Sequence, residues 1–264
     1  MKYASYDQIG IGYNSTRKAD PYLLSRMYHF LDPFRDGKYL DIGCGTGNYT
    51  ISLQRKGVNI IGVDPSIEML RTAKSRNPEQ QWSQGTAEKL AIETESMDGV
   101  LASLTMHHWK NLDQAFNEIN RVLKLDAKFI MFTATPNQMK GYWLWHYFPQ
   151  MLKDSCLVMP TLELLEKYLN QNGLKIDQTE KYFIKDDLQD MFLYIVKNKP
   201  DLYFKPEIRS GISSFSLLSN KKEVEAGLIK LKNDVLSGTI KEVMKQYENE
   251  EGDYLFISTK KINQ

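Results

Sequence analysis

The sequence is poor in cysteine and has no excess of charge of either sign. Only Cys44 and Cys156 occur among the 264 residues, without CxxC spacing, which excludes a disulfide framework and favours a reducing cytoplasm. Lysine and arginine total 34 against 33 aspartate and glutamate, so no global electric field attracts nucleic acid or an anionic membrane. The composition therefore predicts a protein that binds neither nucleic acid nor a membrane.

Long apolar segments are also absent. The opening residues, MKYASYDQIG, lack the apolar core of a signal peptide. The densest apolar stretch, residues 141–152 (GYWLWHYFPQML), is shorter than the roughly 20 residues that cross a bilayer. His107 and His108 are adjacent, but no HxxxH pair or histidine–cysteine cluster joins them. We therefore predict a cytoplasmic protein without a metal site.

Between residues 38 and 135, short apolar runs alternate with segments of helical spacing. The runs KYLDIG, VNIIGVD, MDGVLASLT and KFIMFTAT are typical of buried strands, and QQWSQ is a weaker strand candidate. Strands that alternate with helices of this length indicate βαβ units. The pattern therefore predicts an α/β protein with a parallel sheet that is covered on both faces.

The pattern changes after residue 136. Residues 137–205 are richer in aromatics, with a helix predicted at 161–171, and further helical patterns follow at 187–197 and 221–247. Residues 252–260 (GDYLFISTK) have the composition of a closing strand. We interpret residues 1–264 as a single domain, with 1–36 as an N-terminal helical lead-in and 137–205 as an inserted helical cap.

The segment LDIGCGTGNYT (residues 40–50) places three glycines between a strand and a helix, as a backbone requires when a ligand approaches closely. A dinucleotide fingerprint, GxGxxG, would need glycine where Asn48 stands. Asp41 would repel a pyrophosphate and suits a cationic ligand, such as an amino-acid ammonium group, better. Asp64 ends the next strand, where an acidic side chain reaches ribose hydroxyls. Taken separately, the two features also fit a plain strand–helix turn and a helix cap.

The ordered motifs LDIGCGTG, GVDPSIEML, GTAEKL, SLTMHHW and EINRVLK resemble those of class I S-adenosylmethionine-dependent methyltransferases. The similarity is closest to the small-molecule branch related to the ubiquinone/menaquinone-biosynthesis methyltransferases and covers residues 36–135. It implies a Rossmann-like, doubly wound, mostly parallel seven-stranded sheet with a helical cap after the fifth strand. It also implies methyl transfer from S-adenosylmethionine to a small-molecule acceptor, by a monomer or a homodimer.

The resemblance assigns roles to matching positions. It implies that the cofactor is held by Asp41, Gly43, Gly45, Asp64, Ser66, Met69, Thr86, Ala87 and Ser103. Among these, Asp64 would bind the ribose. Thr86 departs from the family, which has aspartate at this position near the adenine amino group.

Other residues are candidates from their place in the sequence. Tyr13 and Arg17 are predicted to fold over the cofactor, and Arg17 either pairs with its carboxylate or is an ordinary surface arginine. His107 and Tyr13 are the candidate catalytic groups, although His107 would equally serve as a loop residue that bonds the backbone. The aromatic run 142–148 would either line an acceptor pocket or form the core of the cap, and Arg209 would meet an anionic acceptor or stay solvated.

Three other functions fit parts of the sequence. An RNA or DNA methyltransferase would be expected to carry a basic run and an (N/D)PP(Y/F) motif after the fourth strand, where this chain has SLTM. A cofactor-binding module without transferase activity would keep the glycine turn and tolerate the change at Thr86. An NAD-linked oxidoreductase fits least, because the third glycine is misplaced.

Overall fold

The computed structural model describes residues 16–263, and its centre is a seven-stranded sheet. The strands are β1 Lys38–Ile42, β2 Asn59–Asp64, β3 Trp82–Gln84, β4 Met97–Ser103, β5 Leu123–Thr133, β6 Leu174–Tyr182 and β7 Tyr254–Lys261. Their spatial order is β3-β2-β1-β4-β5-β7-β6. Strands β1 to β5 pair in parallel, whereas β7 runs antiparallel to both β5 and β6. The predicted doubly wound, mostly parallel sheet of seven strands is confirmed.

Helices connect the strands and extend the chain beyond them. They are α1 Pro21–Leu31, α2 Asn48–Gln54, α3 Ile67–Arg76, α4 Leu112–Val122, α5 Pro136–Met139, α6 Pro149–Val158, α7 Leu162–Gln171, α8 Pro206–Ser210, α9 Lys221–Ser237 and α10 Ile240–Gln246. Side-chain caps fix several starts: Asp20 precedes α1, Asn111 precedes α4 and Thr161 precedes α7, each accepting from backbone N–H groups of the first turn. None of the helices that the structure describes is long and apolar enough to span a membrane.

Alternate residues of the central strands enter two separate cores, because side chains of a strand point to opposite faces. On β5, Phe129 and Met131 pack on one face with α4 and α7, while Ile130 and Phe132 pack on the other with α1 and the aromatic cap. All four are essentially inaccessible to solvent. Burial of such side chains contributes roughly 1.5–3 kcal/mol each, so both faces of the sheet stabilise the fold.

The region predicted as a continuous cap, residues 137–205, is divided in the structure. Helix α7 packs against α4, and β6 forms an edge of the main sheet next to β7. The strand β6 has an irregular burial pattern, with charged residues among its exposed positions, so no strand is predicted there from the sequence. The cap is therefore built from residues 136–158 and 183–247, which come together on one side of the sheet.

The prediction of a helix at residues 187–197 is wrong, because this segment consists of turns, a bend and irregular chain. Phe192, Tyr194, Ile195 and Val196 are all buried in one core. Tyr194, Ile195 and Val196 are consecutive, and consecutive residues of a helix point to different sides, so one amphipathic helix face could not bury all three. The irregular segment buries them on several sides instead. The helical pattern at 221–247 is confirmed as α9 and α10, which are separated at Gly238 in a left-handed conformation with φ of 82°.

Candidate functional site

The turn between β1 and α2 has backbone geometry that favours glycine. Gly43, Gly45 and Gly47 have φ angles of 72°, 55° and 79°. A Cβ on Gly43 would lie 2.1 Å from Oγ1 of Thr105, whereas a Cβ on Gly45 would have no atom of residues 16–263 within 4 Å. Gly43 is therefore required for packing between the carboxyl ends of β1 and β4. Gly45 instead leaves open space beside the backbone.

Asp64 joins this turn to the start of α3. Its carboxylate accepts hydrogen bonds from the backbone N–H of Gly45 at 2.8 Å and of Ser66 at 2.9 Å. Ser66 in turn caps α3, because its hydroxyl accepts from the backbone N–H of Met69 at 3.3 Å. These bonds hold the Asp64 carboxylate at the end of β2, next to the glycine turn.

A cleft with about 1090 Å³ of atom-free space, partly open to solvent, lies along the carboxyl ends of β1 to β4. We call it the glycine cleft. It includes the switch between β1 and β4, the place where ligands bind in open α/β sheets. Eight of the predicted cofactor residues line it: Arg17, Gly43, Gly45, Asp64, Met69, Thr86, Ala87 and Ser103. The structure therefore brings these distant motifs together at one site.

Three predicted residues do not line the cleft as the structure describes it. Asp41 lies beneath the turn, with its carboxylate 2.6 Å from Oγ1 of Thr50, and Ser66 is the helix cap. Tyr13 lies outside the described residues. Their predicted contacts with a cofactor stay predictions, and the geometry gives Asp41 and Ser66 supporting positions behind the lining residues.

The sequence interpretation also missed lining residues. They include Ile42, Pro65, Glu88, Leu104, Thr105, His108 and Trp109. Several belong to SLTMHHW, so the location of this motif at the end of β4 was a usable signal. Glu88 lies two residues after Thr86, and its carboxylate accepts from the backbone N–H of Lys110 at 2.6 Å. This places an acidic group on the cleft wall close to the position where the family aspartate is replaced.

The pKa of Asp41 is raised to about 7, mainly by burial and also by the nearby Asp64 carboxylate, against the hydrogen bond from Thr50, which lowers it. Between pH 4 and pH 7 the folded protein therefore holds a proton that the unfolded chain has released. Because the folded state binds more protons there, its stability falls as the pH rises through this window. Above pH 7 the full penalty of a buried carboxylate is present.

We expect Asp41→Asn to stabilise the unliganded protein at pH 8 relative to wild type, and to do so less at pH 5. The amide keeps an oxygen for the Thr50 hydroxyl but carries no charge to bury. Thermal unfolding of both proteins at the two pH values checks this. Contributions from other titrating groups cancel in the difference between the proteins, and a difference in melting temperature that is larger at pH 5 would contradict the expectation.

Arg17 lines both the glycine cleft and a second cavity. Its guanidinium donates to the two carboxylate oxygens of Asp190 at 2.5 Å and 3.3 Å. Asp190 also accepts from the hydroxyl of Tyr49 on α2 at 3.1 Å. Arg17 thus has a carboxylate partner within the protein, and pairing with a cofactor carboxylate stays a prediction.

The histidine pair of SLTMHHW lies in a short 3₁₀ helix directly after β4, Met106–His108. The two rings are in contact, with centroids 3.8 Å apart. His108 lines the glycine cleft, and His107 lines the second cavity. Nδ1 of His107 is buried and has no hydrogen-bond partner within residues 16–263.

Both imidazoles are neutral at neutral pH. Burial holds the pKa of His107 well below its usual value, and His108 and Arg17 lower it further. Burial lowers the pKa of His108 to about 4. Among the described residues no group of three or more histidine, cysteine, aspartate or glutamate side chains is placed to hold a metal ion. The pair therefore lines the two spaces with neutral imidazole rings.

The second cavity, about 710 Å³, lies between the sheet edge and the cap, and we call it the cap cavity. It shares Arg17 and Leu104 with the glycine cleft, so the two spaces adjoin there. Leu104 has a φ of 51°, an unfavourable backbone conformation for a residue with a side chain. Non-glycine residues in this conformation occur preferentially at functional sites.

The aromatic run 142–148 is mainly the core of the cap. Trp143 and Phe148 are fully buried in the core, and Tyr142 is the member of the run that lines the cap cavity. Arg209 donates to the backbone carbonyl of Tyr203 and does not line the cavity. The interpretation of the run as core is therefore confirmed for most of its residues.

Comparisons with known proteins agree with this arrangement. Residues 40–131 match a family model described as a methyltransferase domain. A crystal structure of an Anabaena variabilis protein, described as a methyltransferase from an antibiotic biosynthesis pathway, is 32% identical. It superposes with a TM-score of 0.82 over 92% of this chain and 98% of that one.

Two curated relatives match over shorter segments. An uncharacterised methyltransferase of Mycobacterium tuberculosis is 31% identical over 113 residues, 43% of this chain and 46% of that protein. A ubiquinone/menaquinone biosynthesis C-methyltransferase of Campylobacter jejuni is 29% identical over 115 residues, 41% of this chain and 49% of that protein. The matches thus span about half the length of each curated relative.

Proposed function

Because the chain belongs to the class I S-adenosylmethionine-dependent methyltransferases, we propose that it transfers a methyl group from S-adenosylmethionine to a small-molecule acceptor by direct displacement. The observation that carries the proposal is the junction at Arg17 and Leu104, where the glycine cleft adjoins the cap cavity. Direct displacement requires donor and acceptor to be aligned and water to be excluded. Two adjoining spaces allow the donor and the acceptor to be placed side by side, which meets the requirement for alignment.

The residues of the glycine cleft fit S-adenosylmethionine. The open space at Gly45 is a cradle that a side chain would fill, and the Asp64 carboxylate is fixed where ribose hydroxyls bind in this fold. Met69, Thr86 and Ala87 form the proposed adenine side, and Ser103 the methionine side. When bound, S-adenosylmethionine supplies an electrophilic methyl group on a sulfonium.

His107 is the proposed acceptor-side residue. Its buried Nδ1 belongs to a neutral imidazole, which can accept a proton from an acceptor hydroxyl when Nε2 carries the ring N–H. The ring comes from the 3₁₀ helix that also positions His108 at the glycine cleft, so it lies close to the junction of the two spaces. Tyr13 is a second proposed catalytic group.

Replacement of His107 by alanine is expected to leave the Kd for S-adenosylhomocysteine within about twofold of wild type. Turnover of an acceptor that must lose a proton should fall by roughly 10²–10⁴, the usual contribution of a general base. Calorimetry and release of S-adenosylhomocysteine measure the two quantities. His146→Ala is the control, because His146 does not line the cap cavity and should change neither. Loss of cofactor binding in His107→Ala would place the residue on the wrong side of the site.

The decisive experiment incubates the purified protein and S-adenosylmethionine with a panel of small molecules and with RNA. Release of S-adenosylhomocysteine with a small molecule supports the proposal. Cofactor binding without turnover on any acceptor would instead support a binding module. Turnover only with RNA, with an affinity that falls steeply as salt rises, would support an RNA methyltransferase.

A further inference from the structure

Among the described residues, the side chains that line the cap cavity leave no charge to neutralise an ionic ligand. Within residues 16–263, Arg17 is the lining side chain with a permanent charge, and Asp190 neutralises it through two hydrogen bonds. Asp190 is 1% exposed and is also bonded by Tyr49. A carboxylate or phosphate that entered the cavity would lose its hydration without gaining a free counter-charge, which strongly disfavours its binding.

Most of the cavity wall is apolar, and it includes Met139, Met159, Phe192 and Ile212 together with Leu104. Walls of this type bind ligands through burial of apolar surface, while a few polar groups set the orientation. An uncharged, mainly apolar ligand therefore matches both the chemistry and the electrostatics of the cavity.

Polar groups occur on two walls. On the sheet side, His107 lines the cavity, and its buried Nδ1 has no hydrogen-bond partner within residues 16–263. On the cap side, Oγ atoms of Ser155 and Ser214 are 2.8 Å apart, and Ser155 donates to the carbonyl of Met151 at 2.8 Å. The single Ser155 hydrogen is within donating distance of both the Ser214 oxygen and the Met151 carbonyl, and in either arrangement a lone pair of the Ser214 oxygen is left to accept from a ligand.

The location of Ser214 also indicates a functional position. It begins a π-helical turn, Ser214–Leu218, and such turns occur frequently at functional sites. Ser214 itself is buried, and its partner Ser155 lies on α6, so the pair joins two cap segments at the cavity wall.

We propose that the cap cavity selects an uncharged, mainly apolar acceptor, whose hydroxyl meets His107 and whose second polar group donates to Ser214. This inference rests on the proposed function, because it takes the cap cavity to be the acceptor site. Ser214 is a specificity residue in this arrangement, and its contribution is to binding.

The first test uses three probes that share one ring system and differ in charge: β-naphthol, β-naphthoate and β-naphthyl phosphate. Each is titrated into the full chain saturated with S-adenosylhomocysteine, at pH 7.5, in a calorimeter. We expect β-naphthol to bind at least tenfold more tightly than either anion. Equal or tighter binding of an anion, or no binding of β-naphthol, would overturn the inference.

The same experiment separates this inference from the proposed function. Binding of S-adenosylhomocysteine is measured first, and its absence would contradict the proposed function itself. When the cofactor product binds and the anion is preferred, only the assignment of an uncharged acceptor fails.

The second test places the probe in the cavity. Dihydroxynaphthalenes with the second hydroxyl on the far ring offer a donor to Ser214, and at least one isomer should bind more tightly than β-naphthol, by roughly threefold to tenfold. This advantage should disappear in Ser214→Ala. It should persist in Ser216→Ala, a control on the same turn that is exposed and does not line the cavity. No advantage for any isomer, or one that survives Ser214→Ala, would contradict the role of Ser214.

Discussion

Replacement of Asp64 by alanine is expected to raise the Kd for S-adenosylhomocysteine at least about tenfold. A hydrogen bond to a charged group contributes roughly 1.5–3 kcal/mol, which corresponds to a factor of about 10 to 160 in affinity. Asp64 also accepts from the backbone N–H groups of Gly45 and Ser66, so its loss frees the turn that forms the proposed cradle. Isothermal calorimetry at constant pH measures the change.

An aspartate outside the cleft provides the control. Asp177 on β6 pairs with Lys260 at 3.5 Å, is exposed, and lies outside both spaces. Asp177→Ala should keep the wild-type affinity. S-adenosylhomocysteine should raise the melting temperature of this control as much as that of wild type, and that of Asp64→Ala less, because a ligand stabilises the folded state by binding it. Unchanged affinity in Asp64→Ala would remove Asp64 from the site.

The part of the fold that sequence predicted well is the part that local signals determine. The strands β1, β2 and β4 and the second half of β5 are mainly apolar and mostly buried, because a parallel strand is covered on both faces, whereas the first half of β5 is polar and largely exposed. The glycine turn follows from residue type, since its three positive φ angles favour glycine. The motifs at these strand ends therefore converged on one cleft as predicted.

The edge of the sheet and the cap could not be predicted in the same way. Strand β6 exposes most of its residues and, among the described strands, pairs with β7 alone, so it lacks the apolar run that identifies a central strand. The turns at 187–197 are buried by tertiary packing rather than by helix periodicity. Tertiary context overrides local propensity in such segments.

The residues on the acceptor side of the site could not be predicted from the sequence either, because they come together only in the folded protein. Ser155 and Ser214 lie 59 residues apart in the chain and form a pair only in the folded cap. No spacing or composition marks either serine. The position of His107 after β4 makes it a candidate from the sequence. The burial of its Nδ1, which has no hydrogen-bond partner within residues 16–263, depends on the folded cap and could not be predicted.

Gly45→Ala is expected to reduce the affinity for S-adenosylhomocysteine at least about tenfold while the protein stays folded. Its φ of 55° makes any side chain unfavourable, by roughly 1–2 kcal/mol. No atom of the part of the chain that the structure describes lies within 4 Å of the added methyl, which therefore enters the space proposed for the ligand. Calorimetry gives the affinity, and denaturant unfolding of the free protein gives the stability.

Alanine variants of two other glycines distinguish the effect of backbone strain from the effect of filling the proposed ligand space at Gly45. Gly57→Ala, at φ of 87° on the exposed turn before β2, carries similar strain outside the cleft and should lose stability without losing affinity. Gly43→Ala adds an overlap with Thr105 to the strain, so its loss of stability should exceed that of both other variants. If Gly45→Ala instead keeps wild-type affinity, the space beside Gly45 does not hold the ligand, and another part of the turn must contact it.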